Sequence, residues 1–501
     1  MALDIQLGYP MIDSERASAI SGSNKTTSMD LQEQRTMDWI THVSSEHDAP
    51  SNNVASIELT GDKKLQVWDA LPVEILRGPP ARFKAYNGRW KELTQYGLKN
   101  NLMVAVGFLE LANACDFPAN IWNQTPVPSF AAVLMGIGGF IGIALLYCSI
   151  FDLQLSATNL RLLRTERSRL YRLLRRSTTE SGTRNQGKSI EACLAVNTLE
   201  LGFELVDRFL MNLIMGFGCL LVGVGTWMAI DGSDSRIFMA SNLLTGYIGN
   251  TPAAFYGLIN VLWSAYVWYR ANTHSRLACT DVAVNLIWPR LSHRYDTIKL
   301  HAMVYGLTSF VAGGAALMTA TLWYGYIILV PCVCASAWCN WLWRNKCGYG
   351  RPIFEEAPVL GKDILVTEIQ AILLLQRTVK REDDDSLYEL QNLPYLLEVI
   401  QRYDLMGFVC LELWKRESLK EVLFGGTVSG EKTIEIHDIL RLDTGARIEV
   451  SQVLKEFARR KGHKNLMIRA LVHRERYLLE LLGAWYYCLD KVSTRVWPRN
   501  G

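Results

Sequence analysis

The chain has 501 residues, room for several soluble domains, and a formal net charge of +3, too close to neutral for a nucleic-acid binder. Its 49% hydrophobic content is ordinary, but nearly all the long apolar runs fall within residues 101–343, between polar flanks. That segregation describes an all-α polytopic membrane protein: a bundle of about six transmembrane helices, a disordered N-terminal tail and a mostly helical cytoplasmic C-terminal domain.

Residues 1–60 are rich in Ser, Thr, Asn and Asp and lack apolar periodicity, so a disordered tail is expected. The first residues show neither a basic n-region nor an apolar h-region, so no cleavable signal peptide is expected. Residues 61–100 read as an ordered cytoplasmic lead-in, with turn punctuation at Gly78-Pro79-Pro80 and aromatic residues among basic ones. The first candidate span, about 101–116, is short and carries Glu110 and Asn113, both costly in lipid. Lys84, Arg89, Lys91 and Lys99 precede it, and "DFPANIWNQTPVPS" would follow as an outer loop.

The next five spans are expected at about 130–151, 209–230, 252–269, 301–321 and 324–343, the last two folded at "WYG" within one apolar run. Arg161 to Lys188 make the first intervening loop basic, "DGSDSR" makes the second acidic, and Arg270 to Lys299 make the third basic. This alternation, with Trp263, Trp268, Trp338, Trp341 and Trp343 at the basic ends, places the C-terminus in the cytoplasm of a plasma membrane or endomembrane protein. Six spans put the N-terminus there too. Five would leave it outside, with Glu110 off the bilayer.

"LRLLRTERSRLYRLLRR" (160–176) carries a leucine face (Leu160, Leu163, Leu170, Leu174) among arginines, notably Arg161, Arg164, Arg167, Arg172 and Arg175. Such a helix either lies on the anionic lipids of the inner leaflet or extends the preceding span. Glu200, Glu204 and Asp207 share a helical face at a cytoplasmic mouth, where they either gather a cation or pair with the loop arginines. Residues 237–249 are too few to cross and read as a surface helix or a re-entrant segment. Gly306, Ser309, Gly313, Ala316 and Ala320 form a small-residue face suited to close helix packing.

Residues 351–501 show helical periodicity and read as a cytoplasmic domain offering a surface to a protein partner. Within it, "GGTVSGEKT" misses the phosphate-binding pattern because Glu431 stands where lysine belongs, and the acidic run at 381–386 reads as solvated. The eleven cysteines and eight histidines form no disulfide framework or metal-ligand spacing, so no catalytic, cofactor or metal residues are assigned. Asn24 and Asn123 stand in glycosylation sequons. The pattern ranks transport or permeation of a small solute or ion first, a membrane-anchored scaffold second, and an enzyme acting on a lipophilic substrate third.

Overall fold

An Asn-Gly pair, the best closer of a two-residue hairpin, stands at 87–88 between two stretches of mixed aromatic and basic residues. The computed structural model describes residues 81–86, 89–92, 97–99, 102–122, 126–179, 184–231, 233–353, 361–380, 393–402, 405–425 and 431–496. The 1–60 tail, Asn24, Asn123 and the acidic run 381–386 lie outside them.

Strands β1 (Ala81–Tyr86) and β2 (Arg89–Glu92) pair antiparallel with Tyr86 opposite Arg89. A third short strand, β3 (Gly97–Lys99), pairs with β4 (Gly350–Pro352), while β1 adds β5 (Glu431–Ile434) on its free edge. The sequence assigns no strands here: residues 61–100 read only as an ordered lead-in, and 351–501 as helical. The strands have a topological consequence: the chain that leaves at Lys99 is back beside itself at Gly350. The place where it returns is the near end of the molecule.

Residues 102–122 form not one helix but three short ones: a turn at Ala105–Phe108, α1 (Leu111–Ala114) and α2 (Phe117–Ile121). Helix α3 (Ser129–Thr179) follows, about 76 Å long at 1.5 Å per residue. Helix α4 (Arg184–Gly202) returns along it and passes through a π-helical stretch, Phe203–Leu210, into α5 (Met211–Met228). Next come α6 (Ser235–Asn242), a second π turn at Leu243–Ile248, α7 (Thr251–Ala278), α8 (Trp288–Thr319) and α9 (Gly325–Leu342). Helix α9 runs on through a third π turn, Trp343–Cys347.

Four segments are long and apolar enough to cross a membrane: Ser129–Ser177, Gln186–Asp231, Trp288–Thr319 and Gly325–Cys347. Helix α7 is less apolar because Tyr256, Trp263, Tyr266, Trp268 and Tyr269 interrupt it. The bundle leaves Phe140, Phe217, Leu262, Leu307 and Ile327 exposed on its outward faces, an apolar exterior suited to lipid rather than water.

Small residues set the helix spacing inside. On α8, Gly306, Ser309, Gly313 and Ala316 are buried against α7, and a methyl group on Gly313 would stand 2.6 Å from Ala254 Cα. The leucine face of 160–176 belongs to the continuous helix α3, with Leu160, Leu163 and Leu170 buried against α4. The surface that the sequence offers to lipid is therefore occupied by protein. Residues 235–249 run back along the far half of α5, where Ser241 Oγ donates to Gly225 O at 2.8 Å.

Beyond β4 lie α10 (Lys362–Lys380), α11 (Leu393–Arg402), α12 (Met406–Trp414), α13 (Glu417–Phe424), α14 (Ile436–Leu440), α15 (Thr444–Arg459) and α16 (Lys461–Val496). Helix α16 packs on α4, α7 and α10, and its run 478–485 is almost wholly buried. One hydrophobic core joins these helices to the near ends of α3, α4, α7 and α8.

Candidate functional site

Residues 102–122 run the length of α9 in the opposite direction. Asn340 Nδ2 donates to Met103 O at 3.1 Å, Ser336 Oγ to Glu110 Oε2 at 2.9 Å, and Tyr326 Oη to Asp116 Oδ1 at 2.6 Å. The three contacts order the segment from the near end of α9 to its far end. Broken helix of this kind survives inside an apolar bundle only where neighbouring side chains satisfy its backbone and polar groups.

Glu110 faces a cavity of about 40 Å³, room for a few waters. Asp207, Arg208, His301, Tyr305, Ser336 and Asn340 share its lining with Phe203 and Trp343, the Arg208 guanidinium being bound by Asp152 and Glu204. Asp207 Oδ2 accepts from Trp263 Nε1 at 2.9 Å, while its Oδ1 is buried with no partner among the described residues. The Tyr256 and Tyr305 hydroxyls meet at 2.9 Å. Neither Glu110 nor Asp207 has an ion-pair partner among the described residues. Two of the three π turns contribute to this lining, and π bulges often mark sites where side-chain direction matters.

The acids of α4 and the π turn next to it do not share one environment, because the wider turn spreads residues that a regular helix would align. Glu204 accepts from Ser156 Oγ at 3.0 Å, Asn159 Nδ2 at 3.0 Å and Arg208 Nη1 at 3.1 Å. Arg208 also clamps Asp152, at 2.7 and 3.1 Å, and Asn212 donates to the same carboxylate at 2.8 Å. Nearer the near end, Arg351 holds both Glu166, at 2.6 and 2.7 Å, and Glu200, at 2.8 Å. Tyr349 Oη and Asn197 Nδ2 complete that cluster, each at 2.8 Å.

A fourth polar group lies at the far end. Asp116 is fully buried under Tyr326, and Asn120 Nδ2 donates to the same tyrosine oxygen at 2.7 Å. Thr245 Oγ1 donates in turn to Asn120 Oδ1 at 3.1 Å. No cation pairs with Asp116 among the described residues.

Of the acids singled out in the sequence, Glu110 and Asp207 meet in one cavity, whereas Glu204 and Glu200 enter separate arginine clamps. Those clamps use Arg208 and Arg351, not the loop arginines. Arg161, Arg164, Arg172 and Arg175 stand exposed along α3, and Arg167 is half-buried beside Tyr171. Sequence reasoning missed Asp116, Asp152 and His301, and it read Glu166 only as a loop charge. A signal was present: Ser149, Asp152, Ser156, Asn159 and Glu166 recur at helical spacing on α3, opposite Asn197, Glu200, Glu204, Arg208 and Asn212. Among the described residues no three His, Cys, Asp or Glu side chains gather to hold a metal ion.

No family model, no curated protein and no solved structure matches this chain. The fold and the site define an all-helical bundle with four helices apolar enough to cross a membrane and buried carboxylates along its axis.

Proposed function

We propose that the protein moves protons across a membrane, alone or coupled to a small solute, along the carboxylates Asp116, Glu110 and Asp207. The observation that carries this reading is their placement. They follow one another along α9 from its far end to its near end, Asp116 and Asp207 buried and Glu110 half-buried, without ion-pair partners among the described residues, beside hydroxyls and an imidazole that can pass protons. From Tyr326 to Cys347 that axis measures about 30 Å, the thickness of a bilayer's hydrocarbon core.

The β3–β4 pairing supports an even number of crossings, since residues 97–99 and 350–352 must lie on one side. The five long helices and the broken segment 102–122 make six. The basic loops put the near end, both flanks and the C-terminus in the cytoplasm. Asn123 would then face the glycosylating side and Asn24 would not. Arg161 and Arg164 lie at the depth of anionic headgroups, while Arg172 and Arg175 stand well beyond one Debye length from the surface. The C-terminal helices remain a surface for a cytoplasmic partner.

The test is proton uptake into liposomes holding the purified chain and a pH-sensitive dye, driven by a potassium diffusion potential. The expected result is a flux that falls at least tenfold in Glu110→Gln and Asp207→Asn and is unchanged in Arg161→Gln. Equal flux in Glu110→Gln and the parent would falsify the proton path.

A further inference from the structure

A second cavity lies where the bundle meets α16, and its chemistry is the opposite of the first. It measures about 20 Å³ and is lined by Arg270 of α7, Arg294 of α8 and Glu480 of α16, among Tyr295, Tyr349 and apolar side chains. Arg294 is 7% exposed. Its Nη1 donates to Cys347 O at a long 3.4 Å, its Nη2 stands 3.5 Å from Glu480 Oε2, and its guanidinium lies over the Tyr349 ring. Arg270 donates from Nη2 to Ala195 O at 2.9 Å. The Nε–H groups of both arginines are buried with no acceptor among the described residues.

Two guanidiniums and one carboxylate leave the lining one positive charge in surplus. Arg476 adds another close by, held by Gly348 O at 2.7 Å. Buried N–H donors without acceptors are costly, and two on one small cavity call for a shared acceptor. The space admits one body a little larger than water, which excludes phosphate, sulfate and carboxylate ligands.

We infer that this cavity binds one monovalent, chloride-sized anion, which accepts from Arg270 and Arg294 and fastens α16 to the bundle. The site does not depend on the proton path. The ion joins Arg270 and Arg294 beside Glu480, whose only ion pair among the described residues is the 3.5 Å contact with Arg294, and so adds to the apolar packing that docks α16.

The test uses the full chain in detergent, unfolded by heat in sodium chloride and in sodium gluconate at equal ionic strength. Chloride is expected to raise Tm saturably by roughly 2–5 °C, as ligand linkage predicts for a site far above its Kd. Bromide should replace it and sulfate should not. Arg270→Gln should keep the fold and lose the chloride-specific shift. The double variant Arg294→Gln/Glu480→Gln, which leaves no unpaired carboxylate, should lose it too. A parent protein with equal Tm in chloride and gluconate, or an Arg270→Gln variant with the full shift, would overturn the assignment, water then being the shared acceptor.

Discussion

The seam of α3 with α4 and its π turn and the surroundings of the broken segment 102–122 hold acids in opposite ways. Across the seam Glu166 and Glu200 share Arg351, and Glu204 and Asp152 share Arg208. Around the broken segment Asp207, Glu110 and Asp116 have only hydroxyl, amide and indole donors among the described residues. A carboxylate clamped by guanidinium fixes helices in register. One surrounded by neutral donors can gain or lose a proton without breaking a salt bridge. The α3–α4 seam is built for register, and the surroundings of segment 102–122 leave acids free.

The strongest challenge to that division is removal of a clamp. Arg351→Met leaves Glu166 and Glu200 buried together without a cation, and should cost about 3–5 kcal/mol in stability. Adding Glu166→Gln and Glu200→Gln should recover most of it, which thermal unfolding of the single and triple variants would reveal. If Arg351→Met alone is neutral, the clamp is not structural. Next in size, Gly313→Leu should cost about 1–3 kcal/mol by forcing α7 away from α8. An unchanged Tm there would mean the two helices are not in contact.

Glu110→Gln sharpens the contrast from the other side. A neutral isostere that keeps the Ser336 contact should alter stability by less than about 1 kcal/mol while removing flux. A large loss of stability would show that this acid is structural like those clamped by arginine.

A smaller effect follows from His473, on α16 outside the apolar half. Burial, helped by Arg476 and Arg469, lowers its pKa from 6.5 to about 4, and its Nδ1 accepts from Gly350 N–H at 3.2 Å. The unfolded chain therefore binds more protons than the folded one between these values. Stability contributed by the neutral ring is complete above pH 6.5 and lost as pH falls toward 4. His473→Gln should flatten the decline of Tm over that window, and an unchanged slope would contradict the assignment. Smallest of all, Arg416→Ala breaks an exposed pair with Glu456 and should shift stability by about 0.2–1 kcal/mol.

Much of the bundle is legible in residue order. Charge-free runs become the long helices, and the small-residue face of α8 becomes its contact with α7. What hid the rest is specific. Asp116 sits in a Pro- and Asn-rich stretch that reads as a wet loop, and only its tertiary contact with Tyr326 shows it buried. The π turn at 203–210 separates acids that ideal helical spacing puts together. The hairpin at 81–92 was signalled by Asn87-Gly88, but the pairings of β1 with 431–434 and of β3 with 350–352 join residues hundreds of positions apart, beyond the reach of local pattern.

The proton path depends most on the broken segment 102–122, since only a crossing there carries Glu110 and Asp116 through the bilayer. The direct measurement is protease protection of an N-terminal and a C-terminal tag in sealed microsomes. Both tags are expected to be digested from the cytoplasmic side, as six crossings and the β3–β4 pairing require. A protected N-terminal tag beside a digested C-terminal one would mean five crossings, place Glu110 outside the bilayer and contradict the proton path.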